Sequence, residues 1–258
     1  MRVYTLVWLL ALEWALVACG GRADAPAAGQ PQAVTVAAAA DLRRALTAMQ
    51  PELERACAAR LTFVYGSSGQ LKEQILAGAG YHLFLSADVD YVQELVRAGR
   101  LEAEGAGPYA VGRLALAWRR GLPPLQGVED LARADVTHIA IANPAHAPYG
   151  RAAQQALTAA GLWERLQPRL VLGENIRQAT DYVQGGNADA GLVALALVID
   201  TETPYVLVPA SLHRPIVQAG GVPRGSGREE TARCLLAALR APAGQEALAR
   251  FGFEPVPQ

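Results

Sequence analysis

The feature that most constrains this chain is a repeated alternation of short apolar runs with stretches whose apolar residues recur at helical spacing. Val34-Thr35-Val36-Ala37 precedes Leu42, Ala45, Leu46, Met49, Leu53 and Ala56. Leu61-Thr62-Phe63-Val64 precedes Leu71, Ile75 and Leu76, and Leu83-Phe84-Leu85 precedes Val89, Val92, Leu95 and Val96. Further strand candidates are Leu114–Trp118, Ile139–Ile141, Leu170–Leu172, Gly191–Leu195 and Tyr205–Val208. Helical spacing returns through Ala152–Ala160 and Ile176–Val183, and two helices are expected at Glu229–Arg240 and Gly244–Phe251. Short runs bounded by turn residues read as strands, and the 3.6-residue spacing reads as helix. Their alternation predicts an α/β protein of parallel or mixed sheets covered by helices.

Such sheets bind ligands outside the carboxyl ends of their strands. Four strand-to-helix junctions carry small or polar residues: Ala37-Ala38-Ala39-Ala40-Asp41-Leu42, Tyr65-Gly66-Ser67-Ser68-Gly69-Gln70, Asn143–Gly150 and Gly173-Glu174-Asn175-Ile176. A helix start presents unpaired N–H groups and the positive end of its dipole. Several aimed at one point would hold an anion without any lysine or arginine. Any doubly wound domain has such junctions, however, and the residues alone do not show that these converge.

Of 258 residues, 52% are hydrophobic and 18% charged, enough apolar material for a substantial core. The net charge is -1 with no basic block, which argues against nucleic acid, since phosphate binding needs a concentrated cationic face. Residues Val3 to Val17 form an apolar run behind Arg2, ending at Leu16-Val17-Ala18-Cys19. A basic start, short apolar core and small-residue end read as a secretory signal peptide over residues 1–18. The Leu-Val-Ala-Cys ending resembles the bacterial lipobox, which would make Cys19 the acylated first mature residue; a wrongly chosen start codon or an ordinary signal peptide with a chance cysteine is the plainer alternative. Residues 19–32 lack periodicity and read as a flexible linker. Fully extended, the thirteen residues from Gly20 to Gln32 reach about 45 Å.

The remaining cysteines, Cys57 and Cys234, belong to no Cys-x-x-Cys or Cys/His cluster, so no zinc site is expected. An oxidising compartment would allow them to pair. Two buried free thiols on helices is the preferred reading. No Gly-x-Ser-x-Gly, His-Glu-x-x-His or phosphate-binding Gly-x-x-x-x-Gly-Lys motif is present, and Ser68 has no evident base, so a secreted hydrolase is a remote alternative. His82, His138, His146 and His213 are scattered and read as structural, and Arg151 and Arg177 as surface residues on first helical turns.

At its junctions the chain resembles the periplasmic molybdate-binding proteins of ABC transporters. The segments carrying the resemblance are Ala38–Leu42, Gly66–Gly69, Leu83–Asp88, Ala142–Arg151, Leu172–Ile176 and Asp189–Leu192, in order over nearly all of the chain after Ala33. The resemblance implies a type II periplasmic binding fold, with two α/β lobes, a two-strand hinge and a cleft between them. One lobe would contain residues 33–112 and 210–258, the other residues 113–209. It implies a molybdate or tungstate oxyanion held by backbone amides and hydroxyls, with molybdenum present only inside that oxyanion. The implied ligand residues are Asp41, Ser68, Tyr149 and Ile176, with Ala40 as a further candidate. It also implies a membrane permease as partner, a monomer, no resident cofactor, no enzymatic activity, and a place in the periplasm or cell envelope; the tether through Cys19 is implied by the lipobox-like ending alone.

Two residues depart from the family pattern. Asp41 stands where many members have a serine that donates to the ligand, and a carboxylate there would repel a dianion. Its side chain is expected to cap its own helix, leaving the Asp41 or Ala40 N–H to the ligand. Ala194 replaces a tyrosine found in some members, whose hydroxyl Tyr149 would supply. A binding protein for sulfate, phosphate, ferric ion or a small organic anion is the alternative.

Overall fold

A computed structural model describes residues 31–256. The signal peptide and most of the linker expected over residues 1–32, including Cys19, lie outside the described residues. Pro31 and Gln32 are the exceptions, and Gln32 already belongs to the first strand.

Strand β1 (Gln32–Ala39) passes through a tight turn, Ala40–Leu42, into α1 (Arg43–Ala56). β2 (Ala59–Gly66) leads to α2 (Ser68–Leu76), and β3 (Leu83–Ser86) to α3 (Val89–Arg97). β4 (Gly107–Gly112) is separated from β5 (Leu114–Trp118) by Arg113 alone. Next come β6 (Ile139–Ala142), α4 (Pro148–Ala159), α5 (Trp163–Leu166), β7 (Leu170–Gly173) and α6 (Ile176–Gln184). β8 (Ala190–Ala194), α7 (Leu195–Val198) and β9 (Tyr205–Leu207) follow, then β10 (Ile216–Gly221), α8 (Glu229–Arg240) and α9 (Pro242–Arg250).

The strands form two five-stranded sheets, ordered β2-β1-β3-β10-β4 and β7-β6-β8-β5-β9. In the first, β1 runs parallel to β2 and β3, while β10 is antiparallel to β3 and β4. In the second, β6 runs parallel to β7 and β8, and β5 is antiparallel to β8 and β9. The backbone crosses between sheets twice, at Arg113 and between β9 and β10. Each parallel set places the carboxyl ends of its strands side by side, which brings the predicted junctions together within each sheet.

The expected strands all form, and two more appear that periodicity did not indicate, β4 and β10. Leu195, expected in a strand, opens α7. The amphipathic helices bury the faces their spacing predicts: Ala45, Leu46, Met49 and Leu53 of α1 are buried, as are Ala179 and Val183 of α6. Local caps fix two helix starts. Asp88 accepts from the Asp90 N–H at 2.9 Å. Asn175 accepts from the N–H groups of Arg177 and Gln178 at 3.0 and 3.1 Å.

The reading of Cys57 and Cys234 as free thiols is overturned, because they form a disulfide with a Cα–Cα distance of 5.8 Å. Cys57 ends α1 and Cys234 lies in α8, and the two helices pack against each other beside β1. Their separation of 177 residues hides that contact from sequence spacing. Closing so long a loop restricts the unfolded chain. Replacing both cysteines by serine is therefore expected to cost about 2–5 kcal/mol of stability. A urea-unfolding midpoint unchanged from that of the oxidised protein would show that the bond contributes nothing.

Candidate functional site

A small, nearly closed cavity lies between the ends of the two sheets. Its first-sheet wall includes Ala40, Asp41 and Ser68, and its second-sheet wall includes Tyr149 and Ile176. All five residues expected at the site therefore meet at one place. Each is at least 96% buried. Among the described residues no lysine, arginine or histidine lines the cavity.

Ser68 is the first residue of α2. Its Oγ accepts the Ala87 N–H at 2.9 Å, which leaves its own hydrogen free to be donated. Ile176 is the first residue of α6, so its N–H has no carbonyl within its own helix to bond. The Asn175 cap occupies the two N–H groups that follow, and the Ile176 N–H remains at the cavity edge. Tyr149 sits in the first turn of α4, behind Pro148, and its Oη has no hydrogen-bond partner among the described residues. The ring reaches across to β4, where a Cβ on Gly112 would collide with that hydroxyl. Gly112 is thus the space into which the phenol fits. Burial first, and then the charge of Asp41, push the Tyr149 pKa well above its usual value. The phenol is a donor at any physiological pH.

Asp41 does not cap a helix as expected. Neither the turn it occupies nor α1 has a side-chain cap. Instead its carboxyl turns inward, and Oδ2 accepts from Gln218 Nε2 at 2.6 Å. Gln218, fully buried on β10, accepts in turn from the Tyr109 hydroxyl at 3.3 Å. The Tyr149 hydroxyl lies near enough to ease the charge on Asp41. Even so, Asp41 Oδ1 has no partner in hydrogen-bonding geometry among the described residues. Complete burial raises the Asp41 pKa to about 6, opposed by the neighbouring Tyr149 hydroxyl, Gln218 amide and Asp41 and Leu42 N–H groups, of which Gln218 alone meets the carboxyl in hydrogen-bonding geometry. An ionised Asp41 would oppose an anion 4 Å away by about 4 kcal/mol per unit charge at an effective dielectric of 20.

The walls are joined around the cavity. The His146 carbonyl accepts from Ser67 Oγ at 2.6 Å and from the Gly69 N–H at 3.0 Å. His146 Nδ1 also meets Ser67 Oγ at 2.9 Å. Arg151 pairs with Asp88 and donates to Tyr91 Oη at 2.6 Å, with its guanidinium over the Tyr91 ring. Gln70 donates to Glu174 at 2.6 Å. Arg151, expected only at the surface, thus bridges the lobes, whereas Arg177 pairs with Asp181 on its own helix. His82 is structural, accepting the Thr35 N–H at 2.8 Å.

Gln218 and Tyr109 are the site residues that sequence reasoning missed. A glutamine inside the apolar run Ile216-Val217-Gln218-Ala219 is the signal that would have marked the first. Among the described residues no cluster of three or more His, Cys, Asp or Glu side chains could hold a metal ion. No described helix is long and apolar enough to cross a membrane.

Uncharged donors from two α/β lobes, meeting at the carboxyl ends of parallel strands, define a two-lobed binding protein for a small ligand. The chain belongs to the bacterial extracellular solute-binding protein family, whose pattern matches residues 34–254. A molybdate-binding protein of Rhodobacter capsulatus is 34% identical over 75% of this chain and 77% of its own length. One from Mycobacterium bovis is 28% identical over 92% of each. The solved periplasmic molybdate-binding protein of Azotobacter vinelandii matches with a TM-score of 0.81 and 31% identity, covering 87% of this chain and all of its own. The fold is the type II periplasmic binding fold.

Proposed function

We propose that this protein captures molybdate, and tungstate with it, outside the cytoplasm and delivers the anion to the permease of an ABC importer. The observation carrying this reading is the meeting of Ser68, Tyr149, Ile176, Ala40 and Asp41 around one cavity, with no cation among the described residues of its walls. The named function of its relatives supports the choice of anion. The oxyanion is cargo. No residue bonds molybdenum itself, and the protein needs no resident cofactor. Tyr149 Oη, Ser68 Oγ and the Ile176 N–H donate to its oxygens. The lobes, divided near residues 112/113 and 209/210, close over it as a monomer, and the closed surface is what the permease reads. The protein is a carrier and not an enzyme. Cys19, at the end of Leu16-Val17-Ala18-Cys19, is its acylated first mature residue, and the segment after it is the tether.

Molybdate and tungstate are larger than sulfate at equal charge and shape. A cage of fixed donors holds them fully and leaves sulfate short of some contacts. Calorimetric titration is expected to show tight binding of both, with sulfate and phosphate at least about a hundredfold weaker, a gap of about 2.7 kcal/mol. Equal affinities for sulfate and molybdate would remove the size-selective reading.

A further inference from the structure

Asp41 lines the cavity proposed above to hold a dianion, and its Oδ1 is a fully buried acceptor with no partner in hydrogen-bonding geometry among the described residues. An oxyanion offers only acceptors, so a carboxylate beside it has nothing to accept from and no attraction to it. The groups around Asp41 do not relieve this. Tyr149 from α4 and Gln218 from β10 are neutral donors, and Tyr109 from β4 reaches it only through Gln218. Ser68 from α2 and Ile176 from α6 bring no charge. On α1, the Arg43 guanidinium lies over Tyr65, and Arg44 donates to the Ala196 and Ile199 carbonyls. Asp88 and Arg151 pair with each other, and His146 faces Ser67. Among the described residues no cation therefore neutralises the carboxyl.

We propose that the oxyanion is bound together with one proton, held between Asp41 Oδ1 and a ligand oxygen, so that capture of a dianion is coupled to proton uptake from solvent. One proton turns a repulsive pair of acceptors into a donor and an acceptor. No covalent bond to the ligand forms, and the proton returns to solvent on release. This inference rests on the anion-binding reading and adds a pH dependence that the reading alone does not require. Above the pKa of about 6 that burial gives Asp41, the free protein holds the carboxylate and must gain the proton on binding. The sign follows: affinity is highest at low pH and falls as pH rises through and beyond that value.

Sodium molybdate titrated calorimetrically near pH 8, in two phosphate-free buffers of different ionisation enthalpy, reads the uptake directly. About one proton per anion is expected, with Kd rising up to about tenfold per pH unit over the range above pH 6. Asp41→Asn, whose side-chain oxygen still accepts from Gln218 and whose amide donates, is expected to bind with no uptake and a flat pH profile. Asp41→Ser serves equally if the asparagine variant does not fold. His146→Gln is expected to keep the uptake. Molybdate binding by the wild type without proton uptake overturns the proposal and leaves the anion reading standing. So does uptake that survives loss of Asp41 or disappears with His146. Failure of the wild type and both Asp41 variants to bind molybdate at any pH from about 5.5 to 8.5 overturns the anion reading, and the proposal with it.

Discussion

Replacing Ser68 by alanine and Tyr149 by phenylalanine in one protein is expected to lower molybdate affinity by roughly a hundredfold to ten-thousandfold. Each hydroxyl would donate to a charged oxygen, an interaction of about 1.5–3 kcal/mol in a buried setting. The two come from opposite walls, so their loss also weakens the ligand's preference for the closed arrangement, and that preference is what drives closure. The costs to folding differ. Tyr149→Phe removes a hydroxyl that has no partner among the described residues and leaves the ring in place. Ser68→Ala strands the Ala87 N–H, at a cost of about 1–3 kcal/mol. Calorimetry beside thermal melting separates the effects: a folded double variant with undiminished affinity would place the site elsewhere.

The second large effect is expected at Gly69. A Cβ there would meet the His146 carbonyl oxygen at 2.6 Å, with His146 Cβ and Tyr91 Oη each at 3.0 Å. The carbonyl belongs to the backbone of the opposite lobe and is held by the Gly69 N–H and Ser67 Oγ. Gly69→Val therefore pushes the lobes apart at their contact while leaving each sheet intact. Loss of two hydrogen bonds at about 0.5–1.5 kcal/mol each, with the steric overlap added, lowers affinity at least about tenfold. Most of that change falls in the dissociation rate. Stopped-flow release of molybdate from the valine variant at the wild-type rate would show that this contact plays no part in closure.

Much of the fold was legible because its strands are short, apolar and followed at once by amphipathic helices. β4 and β10 were not, for a local reason. β4 opens with Gly107-Pro108 and β10 ends with Gly220-Gly221, residues that weaken any strand pattern. Their strand character comes from the sheet, where β10 fills the gap between β3 and β4. The site residues were legible from the junctions and the resemblance they carry. What supports them was not: Gln218 lies 177 residues from Asp41, and His146 lies 79 from Ser67. Such distances leave no trace in a periodic pattern. The inward turn of Asp41 went unseen for the same reason, since the helix-capping expectation considered only its chain neighbours. So did the pairing of Cys57 with Cys234.

The insertion of the second sheet between β4 and β10 sets an order for assembly. β5 to β9 are contiguous in the chain, so that half has all its strands once Leu207 has been made. The other half waits for β10, an interior strand, and then for Cys234, which must reach Cys57. While the chain is being synthesised, the later-starting half can finish first. Until the final fifty or so residues arrive, β3 and β4 lack their common neighbour, and those exposed strand edges are where a nascent chain of this protein most needs protection from aggregation.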